Sequence, residues 1–128
     1  MVGLSLYAFG ANIPHPSKAH RGGEDSFFIA LPALSAIGVA DGVGGWANQG
    51  INPKAFADDL MTFTYEAIVG GEKNPMKALD EGYGKVEQVG SCTAVVGIME
   101  PSGSFHAANI GDSGFMIIRG GKVIFRTE

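Results

Sequence analysis

Four acidic residues stand beside glycine turns: Glu24 and Asp25 follow Gly22-Gly23, Asp41 precedes Gly42, and Asp112 follows Gly111. Hard divalent cations take carboxylate, backbone carbonyl and water oxygens, and Mg²⁺ or Mn²⁺ keeps several of its waters. Paired carboxylates at strand ends can therefore hold one or two such ions. A bound water of lowered pKa then becomes a nucleophile, and two metals can clamp an in-line displacement at phosphorus. Taken alone, Asp41-Gly42 also reads as a strand running into an Asp-Gly turn, and Asp112 as a turn residue between two strands. Glycine turns would also suit a phosphate cradle, but the chain contains neither GxxxxGK[ST] nor GxGxxG, which disfavours a nucleotide-binding reading.

The elements that must position these carboxylates follow from periodicity. Val2 to Phe9 alternates loosely and predicts an opening strand; Ala11 to Gly23, with Pro14, Pro16, Gly22 and Gly23, predicts a loop. Ser26 to Leu31 reads as a strand that Pro32-Ala33 turns into the small, β-branched run Ala36 to Ala40. In such a hairpin Glu24 and Asp25 start one strand where Asp41 ends the other, so the three acids are expected to cluster. Asn52-Pro53 and Asn74-Pro75 are helix starts with an Asn cap and Pro at the first helical position. Phe56, Leu60, Phe63 and Ala67 form one apolar stripe, stopped at Gly70-Gly71, and Met76, Leu79, Tyr83 and Val86 form a second. Both stripes are read as core; Gly82 and Gly84 each weaken the second helix by about 1 kcal/mol relative to Ala. From Ser91 the pattern returns to strands at Cys92–Met99, Phe105–Asn109, Phe115–Ile118 and Val123–Phe125. Strands, two helices, then strands predict an α+β layout, with residues 1–128 as one domain or part of one.

Charged residues are only 17% against roughly 25% in an ordinary domain, and glycine reaches 20 of 128. That balance suggests tight turns between buried strands and a surface partly meant to be covered. A net charge of −4 gives no footprint for nucleic acid, and no apolar run reaches the ~20 residues of a membrane span. The N-terminus carries no signal or transit pattern, and the single Cys92 cannot form an intrachain disulfide.

Gly23-Glu24-Asp25, Val39-Ala40-Asp41-Gly42-Val43-Gly44-Gly45-Trp46, Gly90-Ser91-Cys92-Thr93-Ala94 and Ala108-Asn109-Ile110-Gly111-Asp112-Ser113-Gly114 together resemble the successive motifs of the metal-dependent type 2C protein phosphatases, the PPM family. The Asp-Gly-Val-Gly-Gly-Trp form is similar to the branch of mitochondria and plastids. The resemblance implies a β-sandwich of antiparallel sheets flanked by helices and a dinuclear Mn²⁺ or Mg²⁺ centre. It further implies hydrolysis of phosphoserine and phosphothreonine on proteins by a metal-bridging water. By position, Asp41 would bridge both metals, Gly42 would ligate through its carbonyl, and Glu24 and Asp25 would hold metal waters or the ion. Asp112 would match the acid of a further, weaker metal.

Three departures accompany the resemblance. Val43 stands where many members carry a His proposed as general acid. The phosphate-binding Arg usually lies four residues before the Glu, whereas Arg21 lies three before and His20 four before. His15, His20 and His106 are otherwise read as surface or turn residues. The family's later Asp-Gly and final Asp, ligands of the second metal, do not occur within 128 residues. The sequence is therefore expected to be the N-terminal portion of a phosphatase domain, its missing C-terminal half a candidate partner and the isolated chain a weak Mn²⁺ binder. The competing expectation is a non-catalytic phosphatase-like module that binds a phosphoprotein or regulates a full-length relative.

Overall fold

A computed structural model describes residues 4–31 and 34–128. Strand β1 (Asp25–Ala30) pairs antiparallel with β2 (Ala36–Gly42), β2 with β3 (Cys92–Met99), and β3 with β4 (Phe105–Ile110). The order β1-β2-β3-β4 makes one four-stranded sheet, and β5 (Met116–Arg119) with β6 (Lys122–Arg126) forms a separate hairpin. Helices α1 (Pro53–Val69) and α2 (Pro75–Tyr83) connect β2 to β3. The architecture is α+β with antiparallel sheets and helices, as the order of periodic segments predicts.

Small residues on one sheet face explain how the helices approach it. Ala36, Ala40, Ala94, Val96, Ile98 and Ala108 are buried there with Phe28 against Phe56, Leu60, Met61 and Ile68 of α1 and Leu79 of α2. Each helix starts where its sequence signal places it: Asn52 accepts from the Lys54 amide at 3.0 Å, and Asn74 from the Met76 amide at 3.0 Å.

The second apolar stripe needs correction. The helix ends at Tyr83, short of Val86, and Met76 and Tyr83 are 48% and 63% exposed. Its buried residues are Pro75, Ala78, Leu79 and Gly82. Gly82 is the reason: a Cβ there would lie 2.6 Å from Thr64 Oγ1 and 2.8 Å from Thr64 N, so α1 crosses α2 where one side chain is missing. The glycine read as a helix weakness sets the contact face with Leu79, and Met76 and Tyr83 turn outward.

The opening strand is also corrected over its described part. Leu4 to Phe9 forms no strand; Tyr7 and Phe9 are 86% and 98% exposed, so the loose alternation has no buried face to enforce a register. Val2 and the Pro32-Ala33 turn lie outside the described residues. The loop before β1 contains a 3-10 helix at Pro16–Arg21. His15 caps it, accepting from the Ser17 amide at 3.2 Å, and Gly22 and Gly23 close it at φ of 78° and 81°, a region that favours glycine.

Beyond the sheet, on the face away from the helices, runs an apolar groove of about 850 Å³ lined by Phe27, Val39, Val95, Phe105, Phe115 and Ile117. The β5–β6 hairpin reaches it through Phe115, whose ring lies 6.2 Å from that of Phe105.

Candidate metal centre

The carboxylates gather at one end of the sheet because of register. Asp25 pairs with Asp41 across β1 and β2, and Asp41 with Thr93 across β2 and β3. Alternation along each strand puts these three on the groove face, at its polar end. Thr93 Oγ1 is hydrogen-bonded to Ser113 Oγ, which ties the Gly111–Gly114 turn, and with it Asp112, to the same row. Backbone contacts fix the corner: the Gly42 amide donates to Glu24 O at 2.9 Å, and Val43 N to Ser91 O at 3.0 Å. Lys54, from the first turn of α1, donates to Asp25 O at 2.7 Å and to Asp58 Oδ1 at 3.2 Å. Trp46, in a 3-10 helix over Gly44–Gln49, donates its indole N–H to Ser91 Oγ at 2.9 Å and closes the rim.

The electrostatics separate Asp41 from Glu24. Burial raises the pKa of Asp41, and hydrogen-bonding reach of Asp25, then the charges of Asp25, Asp112 and Glu24, push it the same way. A carboxylate among carboxylates holds its proton more tightly, or else needs a cation. Glu24 behaves oppositely. Burial alone would raise its pKa, but hydrogen bonds and charges from Lys18 and Arg21 overcome that, so it lies below the ordinary range. Lys18 Nζ pairs with Glu24 Oε1, and Arg21 Nη2 donates to Glu24 Oε2 at 3.1 Å.

The structure thus brings Asp25 and Asp41 together, with Asp112 exposed nearby and Glu24 turned onto two cations. Among the described residues no three His, Cys, Asp or Glu side chains converge on one point able to hold an ion. In donor type and sign, two facing carboxylates, with the proton affinity of Asp41 raised, fit a hard divalent cation; in number they supply part of a coordination shell. Asp25, Asp41 and the Gly42 carbonyl are the groups that would hold it. Lys18 was not visible as a site residue from spacing alone. Its signal is compositional: Lys18, His20 and Arg21 form a basic cluster directly before Glu24 in an acidic chain.

Comparison with known proteins points one way. No protein-family model matches the chain. It is 39% identical over 128 residues to "Probable protein phosphatase 2C 80" of Arabidopsis thaliana, covering 97% of this chain and 30% of that protein. Identity is 35% over 126 residues to "Probable protein phosphatase 2C 26" of Arabidopsis thaliana, of which 42% is covered. It is 39% over 122 residues to "Protein phosphatase PTC7 homolog fig" of Drosophila grimshawi, with 39% of that protein covered. The X-ray structure of the photosystem II phosphatase PBCP superposes with a TM-score of 0.86 at 37% identity, over 91% of this chain and 47% of that one. The chain spans less than half the length of each of these relatives.

Proposed function

Because this chain belongs to the metal-dependent type 2C protein phosphatases, we propose that it forms the metal-binding N-terminal portion of a domain that hydrolyses phosphoserine and phosphothreonine on proteins. The observation that carries this reading is the Asp25–Asp41 pair, two carboxylates set opposite each other at one sheet end with the proton affinity of Asp41 raised. A bound Mn²⁺ or Mg²⁺ would supply a water of lowered pKa and charge stabilisation at phosphorus.

The chain's own residues take the other roles. Asp25, Asp41 and the Gly42 carbonyl would hold the cation. Glu24, kept ionised by Lys18 and Arg21, accepts hydrogen bonds from water at its free lone pairs. Asp112, on the turn tied to Thr93, adds negative charge to the same end and is the candidate ligand of a further ion. Arg21, 26% exposed, faces the incoming phosphate. Val43 is apolar, so protonation of the leaving alcohol falls to another donor or to water. The relatives' greater length supports a second claim: the rest of a longer polypeptide completes the ligand set and covers the apolar groove. The matched photosystem II phosphatase favours a plastid among the organelles that use this branch. No helix among the described residues is long and apolar enough to cross a membrane.

The test is Mn²⁺-dependent release of phosphate from a phosphothreonine peptide. A polypeptide continuing into the rest of the domain should turn over robustly and lose activity with Asp41→Asn. The 128 residues alone should turn over p-nitrophenyl phosphate poorly. Robust turnover by the short chain refutes the need for further ligands, and no turnover by the long one refutes the enzyme.

A further inference from the structure

The geometry points to Lys18 as the second cation of a phosphate cradle shared with Arg21, with Glu24 acting as the tethered anion that fills the cradle between substrates. The inference rests on the phosphatase reading for its ligand, a phosphate monoester dianion, but its evidence lies in this cluster.

Two cations take different oxygens of one carboxylate: Lys18 on Oε1 and Arg21 on Oε2. The three groups sum to one uncompensated positive charge. Glu24 is 7% exposed while Lys18 and Arg21 are 36% and 26% exposed, so the cations stand on the solvent side of the acid. An anion arriving from solvent meets them first.

Both keep donors to offer. An ammonium has three N–H groups and a guanidinium five. Here Arg21 Nε is buried without a hydrogen-bond partner. Access is kept open at Gly44, where a Cβ would lie 2.9 Å from Glu24 Oε1 and 3.2 Å from Lys18 Nζ. A tetrahedral dianion offers more acceptor oxygens and more charge than a carboxylate, and guanidinium matches it bidentately. The bland competitor is an ion-pair cluster that only fixes the loop before β1.

Inorganic phosphate is the probe, titrated into the 128-residue chain at pH 7.5 by calorimetry, with and without Mn²⁺. Mn²⁺ binding is followed separately by electron paramagnetic resonance. Lys18→Met should weaken phosphate by about tenfold or more, and Lys18→Arg should stay within about threefold of wild type. Glu24→Gln should tighten phosphate several-fold, because it removes the competing anion; a purely structural cluster predicts weakening instead. Melting curves establish that each variant is folded, and should Lys18→Met unfold, Lys18→Arg and Glu24→Gln decide the question. Unchanged phosphate affinity in Lys18→Met, weaker binding in Glu24→Gln, or no phosphate binding by wild type overturns the cradle. Lys18-dependent phosphate binding by this chain, together with no Mn²⁺-dependent turnover by the longer polypeptide, keeps the cradle and removes the metal phosphatase.

Discussion

Asp25 and Asp41 occupy directly opposed positions in the β1–β2 ladder, so two like charges meet where a strand pair would ordinarily place complementary side chains. The pair costs the fold stability and, on the proposed function, is what would give this end of the sheet its affinity for a cation. Asp41 has a raised pKa, so its contribution to stability is fully present below the ordinary value of 3.8 and is lost as pH rises through the folded value. Asp41→Asn should therefore raise the melting temperature at pH 7 by about 2–4 °C, with the gain vanishing near pH 3. The same variant should lose Mn²⁺ binding. A lower melting temperature at pH 7 would show that the two carboxylates do not repel.

Glu24 carries the opposite sign. Its pKa is lowered from 4.5, so its stabilising contribution is complete above that value and fades as pH falls through the folded value. Wild type should exceed Glu24→Gln in stability by about 1–2 kcal/mol at pH 7, a figure reduced for the exposure of Lys18 and Arg21. The difference should close on acidification below pH 4.5. Melting curves of both proteins against pH read it directly, and a gap independent of pH would contradict the ion-paired assignment.

Much of this was legible in the sequence wherever one local signal was strong. Asn52-Pro53 and Asn74-Pro75 fix both helix starts, and a run that is apolar apart from Thr93 marks β3 at Cys92–Met99. The short spacing between Asp25 and Asp41 makes a hairpin, and antiparallel register then sets the two acids opposite each other. What was not legible depends on contacts that no spacing rule encodes. Lys18 reaches Glu24, six residues on, because a 3-10 helix closes with two consecutive left-handed glycines. Met76 and Tyr83 turn outward because Gly82 admits the backbone of Thr64. Leu4 to Phe9 alternates like a strand but joins neither sheet, with Tyr7 and Phe9 almost fully exposed.

Gly82→Ala tests that crossing. Helix propensity alone favours alanine by about 1 kcal/mol. A Cβ 2.8 Å from Thr64 N meets backbone, which cannot rotate away. Overpacking of this kind costs about 1–3 kcal/mol and should win. The variant is expected to melt several degrees lower than wild type, and a rise would mean that α1 and α2 are free to separate.

Cys92 can report on the proposed metal site without any turnover. Burial first, and then the charge of Asp41, raise its thiol pKa from 9.0 to about 11. Only the thiolate alkylates, so at pH 8 iodoacetamide should react with the folded chain about a hundredfold more slowly than with the unfolded chain. Filling the site adds a second consequence. A divalent cation beside Asp41 cancels the smaller of the two causes and leaves burial in place. Mn²⁺ should therefore speed alkylation of the folded chain part of the way back toward the unfolded rate, and Asp41→Asn should produce the same acceleration with no metal added. Mass spectrometry of Cys92 against time measures both. If Asp41→Asn speeds alkylation and the ion does not, the cation is not binding at Asp41 in this chain.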